Sequence, residues 1–179
     1  MKIGIIVAMG KELALLKPLL KSPTTETVKG LNFIKGEVAN NTVVALQCGI
    51  GKVNAAIGTM TMIFQYSPDM IINTGVAGGA DKSINVMDIV VGERVSYHDV
   101  WCGPECKMGV VQGLPNYFEG SKSIISKLPP SQLLKYAPVS HTHLRAHQTD
   151  SSLVCPLLLA THTPPPTPDP APAPTPHLT

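Results

Sequence analysis

Residues 2–8, Lys-Ile-Gly-Ile-Ile-Val-Ala, form an almost unbroken apolar run. A strand reads this way when both of its faces are buried in a parallel or mixed sheet. The next stretch, KELALLKPLL at residues 11–20, places Leu13, Leu16 and Leu20 on a helical stripe, and Pro18 should shorten or bend that helix. Residues 31–38 and 42–48 read as two strands, with Asn40-Asn41 as the turn between them, because asparagine tolerates the left-handed backbone of a tight hairpin. A helix is predicted from about Lys52 to Tyr66, with Val53, Ala56, Ile57, Met60, Ile63 and Phe64 on one face. Two further strands follow at 69–75 and 88–99. Strand, helix, strand pair, helix and strand make an α/β chain with a mixed sheet. In such sheets the binding crevice lies beyond the carboxyl ends of the strands.

That pattern does not continue to the end of the 179 residues. The last glycine is Gly120, while 12 of the 17 prolines fall at or after Pro129 and five of the six histidines at or after His141. Residues 161–179, THTPPPTPDPAPAPTPHLT, suit extended polyproline conformations, but their prolines carry no backbone donor with which to build a core. They are expected to be a disordered Pro/Thr-rich tail. Between them and the first part, residues 129–160 are a divergent segment. The apolar stretch SSLVCPLLLATH there is interrupted by Pro156 and has no evident partner. The organisation is thus an α/β domain over 1–128, a divergent stretch over 129–160 and a tail over 161–179.

A net charge of +2 without any basic run argues against nucleic-acid or membrane-surface binding and leaves a small molecule as the expected partner. The opening apolar run is too short to cross a membrane and no small-residue cleavage site follows it, so a cytoplasmic location is expected. Cys48, Cys102, Cys106 and Cys155 show no C-x-x-C spacing and read as reduced thiols. Cys102 and Cys106 could supply half of a zinc site, but no second pair lies at finger-like spacing, and no metal is expected.

Three small-residue segments each follow a predicted strand: 8–12 (AMGKE), 49–53 (GIGKV) and 74–79 (TGVAGG). They should line one crevice. The middle one fails as a phosphate loop, since position 46 is Leu where a glycine is needed and position 53 is Val where a hydroxyl should reach magnesium. Gly75 to Ser83 fails in the opposite way, with Asp81 in place of the second glycine, and Gly49-x-Gly51 lacks the third glycine of a dinucleotide fingerprint because position 54 is Asn. Any one glycine stretch would ordinarily just turn the chain. Three at one sheet edge point to a flat ligand lying against backbone. Glu12 is the one carboxylate within these segments. In a first helical turn a carboxylate usually complements the helix dipole, but here it could also orient or deprotonate a water in the crevice.

Met1-Lys-Ile-Gly-Ile-Ile-x-Ala-Met-x-x-Glu12, CGIGKV at 48–53, IINTGVAGG at 71–79, DIVV at 88–91 and YHD at 97–99, taken in order, resemble the 5'-methylthioadenosine/S-adenosylhomocysteine nucleosidases. That family is a branch of the purine nucleoside phosphorylase superfamily, and the resemblance covers roughly residues 1–128. It implies a truncated nucleoside-phosphorylase-like mixed sheet flanked by helices. It also implies a homodimer and a cofactor-free N-ribosyl hydrolysis of methionine salvage, which releases adenine from a 5'-thio-substituted ribose through an oxocarbenium-like transition state. By the same resemblance Glu12 would activate the water, and Ala8, Met9 and Ile50 would line the sugar and alkylthio side. Val76, Ala77 and Gly78 would form a backbone floor beside adenine and ribose. Position 76 can carry Ser in other members, so a hydroxyl contact is missing here.

The chain departs from the family in its C-terminal part, where the methionine-glutamate pattern that holds the ribose hydroxyls and the Ser-Asp pair that protonates adenine are absent. After Glu119 the acids are Asp150 and Asp169, and neither has the expected strand before it or helix after it. Neither is expected to approach the crevice between Glu12 and Gly78. The compositional break near residue 129 has the look of a replaced reading frame. The expectations are therefore an incomplete or inactive nucleosidase, a non-catalytic subunit that pairs with a full-length copy, or a fragment left with open strand edges.

Overall fold

The computed structural model describes residues 1–78, 85, 88–97, 99–127 and 153–161. The apolar run forms β1 (Lys2–Val7), which pairs in parallel with β4 (Asn41–Gln47) on one side and β5 (Met70–Thr74) on the other. β3 (Leu31–Val38) joins β4 as an antiparallel hairpin, and Ala39 and Asn40 take φ of 46° and 64°, so the left-handed turn lies one position before the expected Asn40-Asn41, with Asn41 already in β4. The helix α1 (Gly10–Leu16) stops where Pro18 cannot continue it, passing into a 3₁₀ turn over Lys17–Leu19.

Among the described residues the main sheet has eight strands in the order β2-β3-β4-β1-β5-β10-β6, with β7 (Ile89–Val91) also paired to β10. Here β2 is Lys21–Val28, β6 is Ala77–Gly78 and β10 is Leu153–Thr161. Alternation along the strands sends side chains to two cores. Ile6, Phe33, Val44, Leu46 and Ile71 meet Met62 and Tyr66 of α2 (Lys52–Tyr66) on one face. Ile34 and Val43, with Ile3 and Ile5 beside them, meet Leu13 and Leu20 on the other. A mixed sheet with helices on both faces is the α/β architecture expected.

Four details differ from the sequence reading. β2 was not expected, because KSPTTETV has no apolar stripe; its first five residues are exposed, as suits an edge strand. The single strand expected over 88–99 is two, β7 and β8 (Arg94–Val95), the latter paired with β9 (Phe118–Glu119). Leu153–Thr161, which had no evident partner, runs antiparallel to β5 with Leu158 opposite Asn73, while Pro156 sits opposite Val90 of β7.

The fourth concerns α2, whose boundaries are as expected but whose buried face is not. Gly58, Met62 and Tyr66 are buried, whereas Val53, Ile57, Met60 and Phe64 are 72%, 55%, 49% and 78% exposed. The reason is the glycine: a Cβ at Gly58 would lie 2.8 Å from Cys48 Cβ and 2.9 Å from Leu46 Cδ2, so this narrow face is the one that can approach the sheet. No described helix is long and apolar enough to cross a membrane.

Candidate active site

The parallel registers set Val7 beside Gln47 and Ile6 beside Asn73, so the chain leaves β4, β1 and β5 at one edge of the sheet. The three small-residue segments therefore emerge side by side. Cys48 ties two of them together: its N–H donates to Val7 O at 2.9 Å, and its buried thiol donates to Val7 O and Gly49 O at 3.3 and 3.2 Å. Burial, with the Glu12 carboxylate as a smaller contribution, pushes this thiol up.

Glu12 sits in the first turn of α1, and its carboxylate gathers amides from two strand ends. Oε2 accepts from Ala8 N at 3.0 Å and Met9 N at 2.9 Å, and Oε1 accepts from Val76 N at 3.0 Å. The Met9 bond is a cap, satisfying the backbone donor at the head of the helix. The Val76 bond is not, because it spans 64 positions and joins the segment after β5 to the start of α1. Glu12 thus combines the local role of a first-turn carboxylate with a long-range one. Ala8 is buried at 1% exposure, and Met9 is half-buried.

Ile50 stands between Gly49 and Gly51, whose φ values of 92° and 103° are a backbone that a side-chain-bearing residue would strain to adopt. It is 46% exposed at the strand edge. The lysine that follows is committed elsewhere: Lys52 Nζ donates to Asp99 Oδ1 and Oδ2 at 2.9 and 2.6 Å and lies 5.4 Å from the Tyr97 ring centroid. This pairing, which sequence spacing could not reveal across 47 positions, fixes the loop after β8 to the start of α2. Ala77 and Gly78 form β6 and pair with Val154 and Leu153 of β10. Asp81, His98, Asp150 and Asp169 lie outside the described residues. Among those described, no cluster of three His, Cys, Asp or Glu side chains could hold a metal ion.

Among the described residues the arrangement places the Glu12 carboxylate, oriented by three backbone donors, at the junction of three strand ends lined by small or apolar residues. It could bind and align a water against an apolar-walled ligand.

Residues 2–148 match the family model of the phosphorylase superfamily. The 5'-methylthioadenosine/S-adenosylhomocysteine nucleosidase of Bacillus thuringiensis (strain Al Hakam) is 40% identical over 127 residues, covering 70% of this chain and 55% of its own. The fold is similar to that of the Streptococcus pneumoniae MTA/SAH nucleosidase solved with 8-aminoadenine, with a TM-score of 0.67 and 35% identity over 70% of this chain and 56% of that one. The Colwellia psychrerythraea 34H MTA/SAH nucleosidase, solved with adenine, gives 0.66 and 38% over 70% and 52%. The chain spans about half the length of the curated relatives it matches. With its family model covering most of the sequence and its fold similar to that of these solved enzymes, the chain belongs to the phosphorylase superfamily.

Proposed function

We propose that the chain carries the water-activating part of an N-ribosyl hydrolase that releases adenine from 5'-methylthioadenosine or S-adenosylhomocysteine in cytoplasmic methionine salvage. The observation that supports this most is the Glu12 carboxylate held by Ala8, Met9 and Val76 amides at the strand ends, in a chain 40% identical to a nucleosidase over 127 residues. A carboxylate offers about four acceptor positions. The three amide bonds leave one for a water.

In the proposed reaction the C1'–N9 bond breaks with its electron pair moving to adenine, which takes up a proton from solvent water, while the ribose becomes oxocarbenium-like. Water adds to C1' and gives its proton to Glu12. Ala8, Met9 and Ile50 wall the sugar and alkylthio side, and the backbone of Val76, Ala77 and Gly78 lies beside adenine and ribose. No carboxylate of this chain is given the role of protonating adenine or holding the ribose hydroxyls. Lack of a leaving-group acid alone typically costs about 10²–10⁴-fold, so the proposed chain is incomplete and close to inactive when alone.

Adenine release from methylthioadenosine tests this directly. The expected rate is at least about 10²-fold below that of a complete nucleosidase, and Glu12→Gln should abolish what remains. A rate equal to a complete enzyme's would overturn the claim of incompleteness.

A second reading is favoured by the apolar outer face of α2. Val53, Ile57, Met60 and Phe64 are all about half exposed or more, and Ala56, Ile57, Met60 and Phe64 line a groove with Val28. In this reading the chain is a non-catalytic subunit that pairs through this face with a full-length nucleosidase or with a second copy of itself. Its mass in solution, alone and mixed with an intact homologue, separates the two.

A further inference from the structure

Gly75 follows β5 and directly precedes Val76, whose N–H reaches Glu12. It is buried, and its backbone lies outside the left-handed region, so an alanine could adopt its conformation. Space is what forbids one. A Cβ built there would stand 2.8 Å from Glu12 Oε1, 3.3 Å from Cδ and 3.6 Å from Oε2, and these are its three nearest neighbours. All of them belong to the end of one side chain that can rotate. A methyl at position 75 would therefore be accommodated by turning the carboxylate away, with the strand left in place.

We infer that Gly75 is a positioning residue for Glu12: its missing side chain leaves the space the carboxylate occupies, and the Val76 amide then holds Oε1 in that space. The inference rests on the reading of Glu12 as the group that aligns water. A glycine needed only for the path of the chain would be opposed by backbone or by its own φ, and neither is the case here. Ala8 and Met9 hold Oε2 while Gly75 and Val76 bound Oε1, so the two sides of the carboxylate are fixed from different strands. A displacement of about 1 Å at such a group commonly costs about 10²-fold in rate.

The test uses the full chain and reads the amide proton shifts of Ala8, Met9 and Val76 by nitrogen-correlated NMR, together with the melting temperature. Gly75→Ala should move all three amides upfield, in the direction produced by Glu12→Ala, while the melting temperature stays near that of the parent. Added to Glu12→Ala, it should move them no further. If Gly75→Ala does not fold, folding of the Glu12→Ala/Gly75→Ala double variant would still locate the clash at Glu12. Failure of both variants, or unchanged amide shifts in Gly75→Ala, would overturn the inference. Where adenine release is measurable, kcat should fall about 10²-fold with KM unchanged. A parent chain that releases adenine as fast as a complete nucleosidase would overturn the claim of incompleteness, and the amide shifts would still decide the role of Gly75.

Discussion

Tyr66 ends α2 with its ring 4.9 Å from that of Phe33, edge to face, and its hydroxyl donates to Glu26 Oε2 at 3.2 Å. Burial first, and then the neighbouring Glu26 carboxylate, push that hydroxyl up from its ordinary 10 to about 12. Between those two values the unfolded chain loses the proton while the folded one keeps it. Stability present below pH 10 should therefore decline as the pH rises towards 12, and Tyr66→Phe should flatten that decline in denaturant midpoints taken across the window. The cysteines allow a second check at this scale. Cys48 is buried with its thiol pushed up, and Cys102 is exposed, so iodoacetamide should label Cys102 in the native protein and Cys48 only after unfolding, as read by peptide mass. For the site itself, Glu12 could be found from sequence because a carboxylate has its own letter and stands after a strand. Its Val76 partner could not, since a backbone amide is carried by almost every residue.

Among the elements, α2 separates what periodicity can and cannot decide. Its ends at Lys52 and Tyr66 follow from glycines before it and Ser67-Pro68 after it, and Ser67 closes it with a left-handed backbone. Its orientation is set by shape, because Gly58 lets the face it shares with Met62 and Tyr66 close on Cys48 and Leu46. Gly58→Ala should cost about 1–3 kcal/mol of unfolding free energy through overpacking against Cys48 and Leu46. On the opposite face, Met60→Glu should leave folding intact, and in the pairing reading it should convert dimers to monomers in light-scattering measurements. The hairpin of β3 and β4 and the break at Pro18 were legible because Asn40 and proline act locally. β2 was not, because an exposed edge strand needs no apolar alternation, and its pairing with β3 is what defines it.

At the scale of the molecule, the parallel core β4-β1-β5 could be read from three apolar runs, and with it the edge where the candidate site lies. The contribution of β10 could not be read in advance. A strand that lies between β5 and β6 in space but begins at Leu153 is specified by long-range pairing, and Pro156 within it argues locally against any strand. Leu157–Thr161 pair with Thr74–Met70, so hydrogen exchange of β5 amides should report on whether this late segment is docked. Replacing Leu157 and Leu159 by proline, which removes their backbone donors, should speed β5 exchange while leaving β1 and β4 protected.

The same pairing has a consequence in time. A ribosome adds about 5–20 residues per second, so β5 is complete roughly 4–16 s before the first residue of β10 has been made. Through that interval β1, β4 and β5 can already be joined, and the far side of β5 presents its unpaired backbone to whatever strand it meets first. The nascent chain is most open to mispairing during that wait, before β10 has been made.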